Sequence, residues 1–320
     1  MRKSLRRTAV AVAASMAVFG ALISGAHAAT SPAATRPTPP HTRWAVNHSS
    51  TRAVRSYWTP QRLAAAKPVP LPPRPRTAKI TSSPGGKPRM IHATRPAGTA
   101  GKLQVNASVW VTVGRLFFHN PSNGGDYVCT ANVVTSNNHD VIATARHCVM
   151  DIGTGTWYTN FQFAPTYNKG SAPYGWWTWR SAGVRIDDTS PGGDNAFIVL
   201  TTGGNSGAHV QDAVGGSGIG FNWSTNNYAH AIGIPASTDY AVWCEGTSVD
   251  SYNGGVHIPN CLGLSGGASG GPFIFNYQSD GSAVQTASFF GSWGSSTDGN
   301  SYFAYYRDAA WNVYNGAQNA

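Results

Sequence analysis

Three short segments, far apart in the chain, carry side chains that together could perform acyl transfer. Val141-Ile142-Ala143-Thr144-Ala145-Arg146-His147-Cys148 reads as a buried-type strand running into a histidine whose neighbour is a cysteine. Gly192-Gly193-Asp194-Asn195-Ala196-Phe197-Ile198-Val199-Leu200 sets an aspartate at the mouth of an apolar strand. Leu264-Ser265-Gly266-Gly267-Ala268-Ser269-Gly270-Gly271 presents a serine among glycines, directly before the strand-like run Pro272 to Phe275. A serine acyl-transfer enzyme needs a hydroxyl nucleophile, an imidazole to take its proton, a carboxylate to orient the imidazole and donors for the oxyanion. The candidates are Ser269, His147, Asp194 and the backbone amides of Gly267 and Ser269, in that order of role.

Taken singly, each segment has a plainer reading. Any one of the ten histidines is by default a surface or core residue. Gly-Gly-Asp-Asn is also an ordinary turn, and a Gly/Ser run is also a flexible loop. Context shifts the balance. A bridge from Cys148 would hold the backbone beside His147, as a general base requires. Asp187 and Asp188 compete with Asp194, but no apolar strand directly follows either. Glycines around Ser269 permit a tight turn that aims two amides at one point.

Chain order separates the serine-enzyme scaffolds. Gly267-Ala268-Ser269-Gly270-Gly271 also satisfies G-x-S-x-G, the nucleophile elbow of α/β-hydrolases, but that fold needs its histidine after the serine. The last histidine is His257. The order His147, Asp194, Ser269 is the chymotrypsin order and not the subtilisin order.

On these residues the chain resembles a secreted trypsin-like serine peptidase of the chymotrypsin fold, in particular its bacterial, V8-like and actinomycete branch. Thr144-Ala145-Arg146-His147-Cys148 resembles that family's T-A-x-H-C segment, Asp194-Asn195-Ala196 its D-x-A segment, and Gly267 to Pro272 its G-D-S-G-G-P segment. Ser292-Trp293-Gly294 is similar to the S-W-G strand that pairs with the substrate backbone beside the primary pocket. The resemblance implies His147 as general base and acid, Asp194 as its orienter, Ser269 as nucleophile and the Gly267 and Ser269 amides as oxyanion donors. Ala268 departs from the pattern. It replaces the aspartate that pairs with a new N-terminal amine in the animal enzymes, so that trigger is absent and any latency has to come from a pro-segment. In an Arg/Lys-selective member, Gly263 would be aspartate; Glu-selective relatives often carry histidine where this chain has Gly291, although His257 or a mature N-terminal amine could substitute. With Gly263, Leu264, Gly291, Ser292, Trp293 and Gly294 as candidate pocket and substrate-strand residues, an apolar or broad P1 preference is expected.

The elements that must position these groups read as short β-branched and aromatic runs between Gly, Asn and Ser clusters. They are Val109 to Phe118, Val128 to Thr135, Val141 to Ala145, Trp177 to Ile186, Ala196 to Thr201, Tyr240 to Cys244, Pro272 to Phe275, Ala283 to Trp293 and Tyr302 to Tyr306. The expected class is all-β: two packed six-stranded-type antiparallel barrels, chymotrypsin-like, with a short C-terminal helix over Asp308 to Tyr314 closed by Asn315-Gly316. Period-two alternation in Tyr174-Gly175-Trp176-Trp177-Thr178-Trp179 favours core packing over a carbohydrate-stacking patch.

All four cysteines fall in this region, and an even count in an exported chain reads as two disulfides. Of the three possible connectivities the local one is expected, Cys129 with Cys148 and Cys244 with Cys261. The first matches the His-loop disulfide of the family that the chain resembles. A four-thiolate zinc site lacks any C-x2-C pair. No metal or cofactor is expected; Asp187-Asp188 could hold structural calcium, but nothing has EF-hand spacing.

Charge divides the chain of 320 residues sharply. The formal net charge of +10 suggests a nucleic-acid binder, yet residues 1–102 hold 17 of the 23 Lys and Arg and no acid. From residue 103 onward, six Lys and Arg stand against 13 Asp and Glu, a balance of −7. Charged residues are 11% of the chain, which with 37 glycines disfavours long surface helices and coiled coils. Arg2, Lys3, Arg6 and Arg7, the apolar stretch Ala9 to Ile23 and Ala26-His27-Ala28 form a secretory signal pattern over residues 1–28. Residues 29–102 carry 13 of the 20 prolines and 13 Lys and Arg. Such a composition is expected to be largely disordered, as a basic pro-segment removed on maturation. Residues 103–320 are then the peptidase domain: secreted, monomeric, acting on protein or peptide substrates, without nucleic acid and without membrane once the signal is cleaved. The alternatives are a catalytically inactive homologue acting as a binding module and an esterase on the same scaffold.

Overall fold

The computed structural model describes residues 41–71, 86–97, 109–188, 190–251, 254–278, 282–293 and 300–320, and Pro39–Ala320 cluster as one unit. The signal-type stretch 1–28 lies outside the described residues.

The proline-rich basic stretch, expected to lack structure, is folded over 41–71 and 86–97. It forms β1 (Thr42–Val46), α1 (Thr51–Tyr57), α2 (Pro60–Ala65), β2 (Lys67–Pro68) and β3 (Arg89–Ile91). Two side-chain caps start the helices: Ser50 Oγ accepts from the Ala53 amide and Thr59 Oγ1 from the Arg62 amide, with Pro60 in the first turn. Composition hid a few large apolar side chains that make ordering favourable. Val54, Trp58 and Val69 are buried, and Trp44 packs over Gly183 and Gly316. Basic residues of this stretch meet acids of the body, Arg62 with Asp126 and Arg89 with Asp308, each at 2.8 Å.

After one helical turn, α3 (Val109–Thr112), the first barrel contains β4 (Val113–Asn120), β5 (Gly125–Val133), β6 (Val141–Thr144), the small hairpin β7 (Met150–Asp151) and β8 (Thr156–Trp157), then β9 (Thr159–Pro165), β10 (Trp177–Arg185) and β11 (Ala196–Leu200). Antiparallel pairing runs β10-β11-β6-β5-β4-β9, and Trp177 opposite Phe163 joins β9 back to β10. Six strands thus close on themselves and leave no free edge in that ring. Inside lie Leu116, Phe118, Ile142, Phe163, Trp177 and Trp179. The tryptophans of the Trp176–Trp179 run are therefore core residues at 177 and 179, as period-two alternation predicts.

The second barrel follows α4 (Val210–Val214). Its strands are β12 (Gly218–Phe221), β13 (Tyr228–Gly233), β14 (Val242–Thr247), β15 (Val249–Asp250), β16 (Val256–Ile258), β17 (Pro272–Phe275), β18 (Val284–Trp293) and β19 (Asn300–Tyr305). Their order is β14-β13-β17-β18-β19-β16-β15, antiparallel throughout, while β12 lies parallel to β18 and antiparallel to β3. Phe273, Phe289, Phe303 and Tyr305 fill its core. These two barrel-like sheets are the all-β, chymotrypsin-like architecture that the sequence leads one to expect.

The last helix, α5 (Asp308–Ala317), runs through the Asn315-Gly316 pair expected to stop it. Burial of Ala310, Val313, Tyr314 and Ala317 beside Phe197 and Phe221 outweighs the glycine's preference. Gly316 is a seat for a neighbour: a Cβ there would lie 2.5 Å from the Trp44 ring.

Candidate active site

Strand register brings His147 and Asp194 together. β6 and β11 pair with Thr144 opposite Ala196, so the turn leaving β6 stands beside the turn entering β11. His147 follows Thr144 in a short 3-10 turn, Arg146–Cys148, and Asp194 precedes Ala196 after another, Pro191–Gly193. Asp194 then holds His147 twice. Its Oδ2 is 2.6 Å from Nδ1, and its Oδ1 accepts from the His147 backbone amide at 2.9 Å.

The carboxyl is 2% exposed, and burial by itself raises its pKa. The His147 charge and hydrogen bond, the nearby Arg146 and the His147 backbone amide outweigh that, so Asp194 is held below the ordinary carboxylate range. A charged carboxylate only accepts, which places the proton of the neutral imidazole on Nδ1 and leaves Nε2 with a free lone pair. The Cys129–Cys148 disulfide ties β5 to the histidine turn, and Cys244–Cys261 closes the other expected bridge.

Arg146 was legible only as a neighbour of His147. Its buried guanidinium donates to the carbonyls of Arg185 (3.2 Å), Asp188 and Gly193 (2.9 Å), fastening the loop that carries Asp194. The competitors Asp187 and Asp188 both face Arg185.

Ser269 sits in a turn whose shape is fixed by backbone bonds. Ala268 N donates to Ser265 O and Gly271 N to Ala268 O, both at 2.9 Å; Gly270 N donates to Phe289 O at 2.8 Å, and Thr130 N to Ser269 O at 2.7 Å. Gly270, at φ +81°, lies so close to the strand ending in the histidine turn that a Cβ would fall 2.0 Å from Thr144 Oγ1. Only glycine fits there. Phe290, from the strand on the other side, stands edge-on to the His147 ring with centroids 6.2 Å apart. His147 Nε2 and Ser269 Oγ are both buried and make no hydrogen bond with any other described group. Among the described residues the amides of Gly267 and Ser269 likewise donate to no protein acceptor, whereas their neighbours Ala268, Gly270 and Gly271 all do.

No family model and no curated protein matches the chain. Solved structures do. A thermostable serine protease, AL20, from an extremophilic microorganism is 30% identical with a TM-score of 0.59, the similarity covering 66% of this chain and 98% of that one. The protease Anisep from Arthrobacter nicotinovorans is 31% identical with a TM-score of 0.58, over 68% of this chain and 99% of its own. The chain belongs to the serine protease family. A Glu endopeptidase, 15% identical with a TM-score of 0.50 over 72% of this chain and 97% of its own, shares the fold.

The protease places its remaining candidate residues unevenly. Gly263 is exposed with open space around it at φ +94°, whereas Leu264 is only 3% exposed and packs in the second core. Gly291, Ser292 and Trp293 lie on β18 opposite Tyr302, Ser301 and Asn300. Gly294 and the Trp293 side chain lie outside the described residues. His257 is opposite Tyr302 on the next strand, stacked on its ring at 5.3 Å, and burial lowers its pKa.

Two features of the protease escaped sequence reasoning. Arg115 and Thr130, unremarkable in their strands, reach the Ser269 turn through the Gly267 carbonyl. The other is a strap. β2 lies parallel to β5 at Tyr127 and Val128, Pro68 abuts Gly266, Val69 is buried in the cluster holding Cys148 and Ala145, and Leu71 packs on the cluster holding Leu264 and Ala268.

Proposed function

We propose that this protease is a secreted endopeptidase working through an acyl-enzyme, and the observation that carries this is the double contact of Asp194 with His147. It fixes the imidazole ring and its tautomer and leaves Nε2, buried and without another partner among the described residues, to act as base. His147 Nε2 takes the Ser269 hydroxyl proton as Oγ attacks the scissile carbonyl carbon. The carbonyl oxygen becomes an oxyanion held by the Gly267 and Ser269 amides. His147 then gives its proton to the leaving amine, the C–N bond breaks, and an ester to Ser269 remains. Water, deprotonated by His147, attacks that ester; collapse returns the proton to Ser269 and releases the carboxylic acid. Asp194 stays ionised throughout and stabilises the imidazolium in both halves.

An apolar or broad P1 preference accompanies this reading. Gly263 offers no charge, Gly291 no imidazole, and burial disfavours the charged form of His257, the group that could meet a glutamate side chain. A P1-scanned peptide library with a sharp Glu or Arg preference would overturn it. Residues 29–102 are read as a pro-segment that is removed on maturation; its described parts, 41–71 and 86–97, fold on the body, with Lys67 to Leu71 strapped beside the Ser269 turn as the source of latency. Export rests on the signal pattern of residues 1–28 and the paired cysteines. Among the described residues no helix is long and apolar enough to cross a membrane.

Casein hydrolysis by the secreted protein and by Ser269→Ala tests the reading. Loss of activity in the variant is expected; equal activity in the two, or none in the processed wild type, refutes it.

A further inference from the structure

Whether the Gly267 amide can meet an oxyanion depends on the orientation of one peptide unit. A trans peptide is planar with its C=O and N–H on opposite sides, so the direction of the Gly266 carbonyl sets the direction of the Gly267 N–H. That carbonyl accepts from the Ala236 amide at 2.8 Å. Turned over, the same peptide would present its oxygen to the site and repel the developing charge. Gly267 itself, at φ +97°, leaves room for no side chain: a Cβ would lie 2.7 Å from Ala236 N and 3.1 Å from Arg115 Nη1.

The loop that supplies the Ala236 amide is gathered by one buried cation from the other barrel. Arg115 is on β4 and 1% exposed. Its Nη1 donates to the Ile234 carbonyl and, at 3.4 Å, to that of Gly267. Its Nη2 donates to the Pro235 carbonyl at 3.1 Å and to Asp239 Oδ1 at 2.8 Å. Thr130 works beside it, donating from Oγ1 to the Gly267 carbonyl and accepting the Ile234 amide, both at 2.9 Å.

Burying a guanidinium is costly unless it is paired, and an apolar side chain of similar volume would serve packing at least as well. Only a planar fork of donors, however, spans several acceptors at once. Three of Arg115's acceptors, the Ile234 and Pro235 carbonyls and the Asp239 carboxylate, lie in the loop that carries the Ala236 amide, and a fourth, the Gly267 carbonyl, belongs to the serine turn. Ala268, meanwhile, carries no carboxylate by which that turn could be anchored from within.

We propose that Arg115 is the positioning residue of the oxyanion hole, holding the 234–239 loop against the 266–267 peptide so that the Gly267 N–H faces the substrate carbonyl. The proposal rests on the reading of Ser269 as nucleophile. Without the guanidinium, the Ala236 amide loses its fixed place and the 266–267 peptide is free to turn over.

The test compares wild type, Ser269→Ala, Arg115→Met and Asp239→Asn on a peptide anilide, together with inhibition by a peptidyl aldehyde and by the corresponding alcohol. The aldehyde adds to Ser269 and forms an oxyanion, whereas the alcohol binds without one. Wild-type turnover that survives Ser269→Ala refutes the nucleophile assignment, independently of Arg115. For Arg115→Met, kcat is expected to fall about 10²- to 10³-fold, the range for losing an oxyanion donor, with KM within about threefold. The aldehyde should weaken by the same factor and the alcohol should not. Should Arg115→Met fail to fold, Asp239→Asn decides, because Asp239 is 39% exposed and its variant keeps the guanidinium. A kcat lowered about tenfold is expected there, with the same split between aldehyde and alcohol. Wild-type kcat in the deciding variant, a rise in KM alone, or equal weakening of both inhibitors overturns the assignment.

Discussion

Asp194 grips His147 through both carboxylate oxygens, one on the ring at 2.6 Å and one on the backbone amide at 2.9 Å. The second contact matters as much as the first. It sets the ring's origin as well as its rotation, and so fixes where Nε2 sits relative to the Ser269 turn.

Asp194→Asn replaces an acceptor by a group that can present its amide to Nδ1 and so favour the wrong tautomer. On the proposed mechanism, kcat falls about 10⁴-fold. Steady-state kinetics on a folded variant, with folding checked by near-UV circular dichroism, measure this. A loss under about tenfold would remove Asp194 from the role.

Acid stability should report the same carboxylate. Its folded pKa lies below the ordinary value because the interactions of His147 and Arg146 outweigh burial. A group depressed in this way adds stability that is complete above its unfolded pKa, about 3.9, and is lost as pH falls through the folded one. Thermal melts between about pH 2 and 6 are therefore expected to decline below about pH 4, less steeply in Asp194→Asn. Identical acid limbs would contradict the shift.

Reduction of the histidine loop is the next test. Replacing both Cys129 and Cys148 by alanine frees a loop of 19 residues' separation, a change that costs about 3 kcal/mol in the chain-entropy model. Urea unfolding under non-reducing conditions measures it. Activity should fall by more than the folded fraction accounts for, since the turn bearing His147 loses its tie to β5. A folded double variant with wild-type kcat would make the bridge purely structural.

Latency can be read from maturation. If Lys67 to Leu71 lie against the active turn as an inhibitor in cis, secreted protein that retains residues 29–102 is expected to hydrolyse peptide slowly, and activity should rise as the segment is cleaved. Mass and N-terminal sequence, followed alongside peptide turnover, check it. An intact chain starting at Ala29 with full activity would assign the segment to the mature fold.

Much of the candidate site was legible because its chemistry is local and its order is informative. His147, Asp194 and Ser269 each announce themselves through neighbours: a cysteine, an apolar strand, a run of glycines. The strands β6, β11 and β17 are continuous apolar runs too short for helices. Strands such as Thr159–Pro165 and Tyr228–Gly233 were missed, because their polar and small residues face crowded interiors that pattern alone does not reveal. The end of α5 was misplaced for a related reason. Gly316 signals a stop locally, but a partner ring from Trp44, far away in the chain, uses the gap it leaves.

The N-terminal stretch is the sharpest contrast. Averaged over residues 29–102, proline and positive charge describe a chain that cannot fold alone, and composition says nothing against that. Yet Trp44, Val54, Trp58 and Val69 are spaced to meet surfaces that exist only once the barrels have formed.

By itself, then, the sequence pointed to the candidate reacting groups and their order, to the local disulfide pairing and to the all-β class, because those follow from residue types and short spacings. Only the tertiary structure decided that Arg115 reaches the serine turn, that Arg146 fastens the aspartate loop, that Leu264 is core and that Lys67 to Leu71 lie beside the site. Each of these depends on contacts between residues dozens to nearly two hundred positions apart. Which buried donor faces which carbonyl is settled by the packing of two barrels, and no local pattern in either one encodes it.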